Sequence, residues 1–108
     1  NFDVHEFIKI QTNLLDKFLA GADYPVMGVT EDELGSITIP SLVIPGNDNT
    51  HNSVSGIAAH NMLGNSELFK LPIKDVDVDL ISWSDWAEYE DDIAESMSEF
   101  IQRVMANQ

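Results

Sequence analysis

The run Ile37-Thr-Ile-Pro-Ser-Leu-Val-Ile-Pro-Gly46 restricts the possible folds of this chain more than any other stretch. It is a short block of apolar and β-branched residues closed by Gly46 and the polar turn Asn47-Asp-Asn-Thr-His51. A block without polar alternation suits a strand buried on both faces, as in a parallel sheet. Pro40 has no N–H to give a ladder, so it belongs at the start of that strand or on a bulge. Residues 53 to 63 follow as a short helix carrying Val54, Ile57, Ala58 and Met62. Asn52 or Ser53 is suited to cap its start, and Gly64 to close it in a left-handed turn. Glu67-Leu-Phe-Lys-Leu71 reads as a second strand ended by Pro72, so residues 37–72 form a βαβ unit.

Helices flank this unit. Val4, Phe7, Ile8, Leu14, Leu15, Phe18 and Leu19 share one face of a 3.6-residue period, which predicts a helix over 1–20 with Gly21 as its stop. Residues 21–36 read as a connection with a helical turn near Glu31–Leu34. Residues 73–90 read as an acidic irregular loop bearing Trp83, Trp86 and Tyr89. Ile93, Met97, Phe100, Ile101 and Val104 define a last helix over 91–106, with Asp91, Asp92 and Glu95 at the end where its dipole favours negative charge. With 108 residues there is room for one core. The expected fold is α/β: a single segment, 1–108, in order α-β-α-β-α, with a small parallel sheet in a three-layer α-β-α arrangement.

Charge narrows the partners. The net charge is −14, and Lys9, Lys17, Lys70, Lys74 and Arg103 are the only lysines and arginines. No basic stripe can neutralise phosphates, so neither nucleic acid nor an anionic membrane surface is an expected partner. The absence of cysteine excludes disulfides, thiolate nucleophiles and sulfur-based zinc sites, and fits the cytoplasm. The start Asn1-Phe2-Asp3-Val4 resembles no targeting segment, and no apolar run approaches membrane-spanning length. The expectation is a soluble piece of a longer chain.

The residues carry little complete chemistry. A serine hydrolase needs its nucleophile on a strand-to-helix elbow, usually in Gly-x-Ser-x-Gly, with a His in reach and an acid holding that His. No such motif occurs. Gly64-Asn65-Ser66 lacks the second Gly and precedes a strand instead of following one. Asp48, Asn49, Thr50 and His51 lie at the carboxyl end of a predicted strand, where open α/β sheets bind ligands, though Asx-rich turns also recur as structural caps. The run Asp75-Val-Asp-Val-Asp79 begins like a calcium loop but has Leu80 and Trp86 where that loop needs Gly and Glu, so it reads as solvated acids. His5 and His60, scattered and without cysteine, make no metal site. Neither metal nor cofactor is expected.

Ile39-Pro-Ser-Leu-Val-Ile-Pro-Gly46-Asn-Asp48-Asn-Thr-His51 resembles the late strand and acid-bearing turn of the α/β-hydrolases. The stretch from Gly56 to Ser66 is similar to the family's next helix and turn, Glu67–Leu71 to its last strand, and Phe100-Ile-Gln-Arg-Val104 to its closing helix. The resemblance covers residues 37–108. It implies the carboxy-terminal part of a protein that hydrolyses an ester, amide or carbon–carbon bond in a small molecule, with its serine upstream of residue 1. The family's acid commonly stands third after the Gly, a position held here by Asn49. Either Asp48 serves as the triad acid through a shifted turn, or the acid is absent. The family's His follows the last strand, yet none occurs after Leu71, and His51 and His60 both precede that strand. The chain alone is therefore expected to be inactive, and to associate with the missing part of its parent or with itself through Phe7, Phe18, Phe100, Ile101 or the 37–46 strand edge. The alternative is a non-catalytic acidic interaction module using residues 75–92.

Overall fold

A computed structural model describes residues 2–108. Local capping explains where the helices begin. Helix α1, Val4–Ala20, starts at Asp3, whose carboxylate accepts the N–H groups of His5 and Glu6 at 2.9 and 3.2 Å. Helix α2, Glu31–Gly35, opens on a reciprocal box: Thr30 Oγ1 accepts Glu33 N–H and Glu33 Oε2 accepts Thr30 N–H, each at 3.1 Å. Strand β1, Ser41–Val43, leads to helix α3, Ser53–Met62, capped by Asn52 through the N–H of Ser55 at 2.7 Å. Strand β2, Ser66–Leu68, is followed by a long crossing segment and a 3-10 helix, Trp83–Tyr89. Helix α4, Glu90–Ala106, continues directly from it, with Glu90, Asp91 and Asp92 in its first turn and Arg103 in its last, both favourable to the dipole.

The two strands pair in parallel, Ser41 with Ser66, Leu42 with Glu67 and Val43 with Leu68. The chain is thus a mixed helix and strand structure around a two-stranded parallel sheet, and the βαβ unit read from the sequence is present. Its strands are shorter than expected. Pro40 and Pro45 bracket β1, and neither has an N–H for the ladder, so the ten-residue run 37–46 yields three paired residues. Two bonds extend the pairing by one residue each, from Ser41 N–H to Asn65 O and from Phe69 N–H to Val43 O. Gly64 does not close α3 in a left-handed turn. Leu63 ends that helix in extended backbone, and among the described residues only Gly28 has a positive φ, in the turn after α1.

Helix α3 covers both strands and also touches α2, whose Leu34 is buried. Helix α4 stands apart from the sheet. Arg103 Nη1 donates to Glu67 Oε1 at 2.7 Å, while a gap of about 550 Å³ lined by Leu42, Leu68, Glu95 and Glu99 lies between helix and strands. No residue of α1 or α4 is buried. Phe7, Ile8, Leu14 and Leu15 on α1 are all more than 40% exposed, as are Met97 and Ile101 on α4. The accessible surface is 8041 Å² for a 12.0 kDa chain, against about 6,000 Å² for a closed monomer of that mass. The radius of gyration is 16.4 Å, where about 13 Å is usual at this length. Both values say that the apolar faces of α1 and α4 lack a partner within the chain.

Candidate functional site

The best-buried side chains at the end of β1 are polar. Asn47, Asp48 and Ser53 are buried, whereas among the described residues the buried large apolar ones are only Leu34 and Leu71. The crossing segment after β2 passes over the turn and satisfies it bond by bond. Asn47 O accepts Val76 N–H, and Asn49 and Thr50 donate their N–H groups to Val78 O and Asp79 O. Asn47 Nδ2 donates to Lys74 O at 3.1 Å, and its Oδ1 accepts the indole N–H of Trp86 at 2.9 Å. Ser53 Oγ donates to Asp75 Oδ2 at 2.8 Å. The polar turn is therefore latched to a segment some thirty residues away.

Asp48 is the centre of that latch, with a side chain 3% exposed. Oδ1 accepts the N–H of His51 at 2.6 Å and Oδ2 accepts the N–H of Ile81 at 3.1 Å. His51 Nδ1 lies 3.3 Å from Oδ1, on a ring that is 64% exposed. These donors favour the ionised form, so the carboxyl titrates below the ordinary aspartate value. The His51 N–H contributes most and the Ile81 N–H next, against a smaller opposing cost of desolvation. Beside the pair opens a cleft of about 310 Å³ with apolar walls from Ile44, Leu80, Ile81, Trp83 and Trp86.

Gly46 makes the turn possible. A Cβ there would collide with the backbone carbonyl of His51, which cannot yield without opening the turn. Gly46→Ala is expected to destabilise the protein by about 1–3 kcal/mol, read as a lower urea midpoint accompanied by a change in Trp86 fluorescence. An unchanged midpoint would mean that the turn is not closed as described.

Asp48, the candidate acid, and Asn49, which holds the family's usual acid position, are separated in placement. Asn49 is exposed and donates its Nδ2 to Asp77 Oδ1 at 2.9 Å, pointing at an acid, while Asp48 faces both the histidine and the cleft wall. The pairing of His51 with Asp48 escaped the sequence reading, which looked for a histidine after the last strand. The signal available was the spacing itself, because an Asx turn brings the residue three positions on back to the carboxylate. His60 does not join this site. Its Nδ1 lies 2.7 Å from Ser66 Oγ, and that hydroxyl donates to His60 O at 3.0 Å, a carbonyl left free at the helix end. The single serine proton being spent there, the ring nitrogen donates to Ser66, which is the reverse of nucleophile activation.

Two of the three acids of 75–79 are already engaged by side chains of the turn. Asp75 and Asp77 accept from Ser53 and Asn49, and among the described residues no group of three or more histidine or acidic side chains is placed to hold a metal ion. Millimolar calcium is expected to leave the melting temperature nearly unchanged. A rise of several degrees that vanishes in Asp77→Asn would reveal a site.

No helix among the described residues is long and apolar enough to cross a membrane. No protein-family model, curated protein sequence or solved structure matches the chain.

Proposed function

We propose that this chain is the carboxy-terminal part of an α/β-hydrolase-like cytoplasmic protein, completing the parallel sheet and supplying the acid side of an active site. The serine nucleophile lies on another part of the parent, which hydrolyses an ester, amide or carbon–carbon bond in a small molecule. The observation that carries this reading is Asp48, a buried carboxylate beyond the carboxyl end of a parallel strand, on the wall of an apolar cleft. Ligands of open α/β sheets bind at that end of the strands, and the acid of a serine hydrolase is held by donors that keep it ionised beside a histidine. The succession β1, α3, β2, α4 and the uncovered faces of α1 and α4 support the same reading.

The purified 108-residue chain is then expected to show no esterase turnover and no labelling by a fluorophosphonate. The product of the whole reading frame, extended through an upstream Gly-x-Ser-x-Gly, should label at that serine. In it, Asp48→Asn should slow turnover by on the order of 10³- to 10⁴-fold. Stoichiometric labelling of the short chain, or an Asp48→Asn parent that turns over at the original rate, would overturn the proposal. A second reading, an acidic interaction module, draws on Leu80 and Trp83, which are 66% and 79% exposed on the 75–92 segment. It is the better account if the full reading frame contains no serine elbow.

A further inference from the structure

We infer that the gap between the sheet and helix α4 is a docking groove for an extended, cationic segment of a partner protein, one in which Lys or Arg alternates with an apolar residue. The groove is separate from the Asp48 cleft, and the inference does not rest on the hydrolase reading.

The orientation of α4 carries it. Asp92, Glu95, Ser96, Glu99 and Arg103 recur at steps of three and four, and this polar face is the one that lines the gap. The apolar stripe of Ile93, Met97, Phe100, Ile101 and Val104 lies on another side of the helix. The facing wall is apolar. Leu42 and Glu67 are register partners and share one face of the sheet, and Phe69 and Leu71 follow Glu67 on that face by alternation. Leu42 and Phe69 are half-buried and Leu71 is buried. Carboxylates of the helix thus look across about 550 Å³ at leucine and phenylalanine.

Such a gap cannot close on itself, because Asp92, Glu95 and Glu99 pressed against an apolar wall would lose water and gain no partner. Arg103 is already held by Glu67 at 2.7 Å, and Lys70, the other cation along the groove, is exposed. A guest that brings cations to α4 and apolar groups to the sheet satisfies both walls. A second copy is a poor guest, since it carries −14 itself.

Spacing sets the form of the guest. Among the described residues no three acids converge where a single metal ion could sit, so the complementary charges must be strung out. Glu95 and Glu99 are separated by about 6 Å along the helix at 1.5 Å per residue. Side chains two apart on an extended strand share a face at a separation of about 6.6 Å, and the one between them points the opposite way. Two cations of such a segment therefore match Glu95 and Glu99, while the apolar residue between them meets Leu42 and Phe69.

The test is calorimetry on the whole 108-residue chain at physiological salt, with the end-blocked peptide Lys-Leu-Lys-Leu-Lys and its equally charged rearrangement Lys-Lys-Lys-Leu-Leu. The alternating peptide is expected to bind more tightly. Glu95→Gln with Glu99→Gln should weaken it by about five- to tenfold. Removing two charges from α1 instead, in Glu6→Gln with Asp16→Asn, should leave the affinity within about twofold. In ¹⁵N spectra the amides of Leu42, Phe69 and Leu71 should move with the peptide and the Trp86 indole should not. Equal weakening in the two variants, or equal binding of both peptides, overturns the proposal by showing attraction to net charge alone. Absence of binding at millimolar peptide, or movement of the Trp86 indole in place of the groove amides, overturns it as well. So does a change in the sedimentation of the chain alone in Glu95→Gln with Glu99→Gln, which would give the groove to a second copy.

Discussion

Replacing Asp48 by Asn will release the crossing segment 74–81 from the end of β1, with a larger structural effect than any other single change in the turn. The carboxylate takes one backbone N–H on each oxygen, from His51 and from Ile81. An amide can accept only through its oxygen, and its NH₂ would face the second N–H donor to donor. A buried backbone N–H that loses its partner retains its desolvation penalty, which is why removing one side of such a bond costs more than the bond is worth. Amide hydrogen exchange at His51 and Ile81 is therefore expected to accelerate by on the order of tenfold or more. His51→Ala, which keeps the backbone N–H and removes an exposed ring, should change these rates little. Equal exchange in both variants and the wild type would show that the latch does not depend on the carboxylate.

The same carboxyl sets the acid limit of the latch. Its value is lowered in the folded state, first by the His51 N–H and then by the Ile81 N–H. At neutral pH folded and unfolded chains are both ionised, and the folded one alone has the carboxylate bound by those donors. As pH falls past the unfolded aspartate value near ~3.9, the unfolded chain takes up its proton first. The contribution of Asp48 is then lost until pH has dropped through the lowered folded value. Protection of the Ile81 amide should accordingly persist at neutral pH and fall away below about pH 4. Asp48→Asn should show no comparable step.

The second large effect is association. The isolated chain is expected to sediment as a dimer or larger homo-oligomer at micromolar concentration. Its surplus of roughly 2,000 Å² per chain over a closed monomer exceeds the about 800 Å² that each partner buries in a standard stable interface. Phe7, Ile8, Leu14 and Leu15 on α1 and Ile101 on α4 are the apolar groups available to it, and an isologous contact covers each patch twice. Strands β1 and β2, the sheet's only two, also leave an open edge each. Repulsion between copies carrying −14 opposes pairing, but it is screened beyond about 8 Å at physiological salt. Association should therefore strengthen as salt rises from very low levels, and Phe7→Glu with Ile101→Glu should weaken it at every salt concentration. A compact, cooperatively melting monomer would show that the chain closes its own core. Within the proposed parent, the same faces are the ones that the rest of the protein covers.

The sequence by itself determined what depends on bonds between near neighbours. Helices α1, α2 and α3 begin at Asp3, Thr30 and Asn52, as side chains capping an N–H two or three residues on require. The apolar periodicity of α1 and α4 was legible as well, whereas β1, read as a buried strand, is half-buried and pairs over only three residues. Tertiary structure decided the candidate site. Asp48 reaches Ile81 across 33 positions and Trp86 reaches Asn47 across 39, and no periodicity or spacing encodes which loop amide will meet which carboxylate. Residues 74–81 were acidic and irregular as a string, since their hydrogen bonds go neither to each other nor to a regular ladder but to the turn after β1. Burial of an ionised Asp48 is tolerable only because the distant Ile81 N–H joins the nearby His51 N–H, so its placement became visible once the chain had folded back on itself.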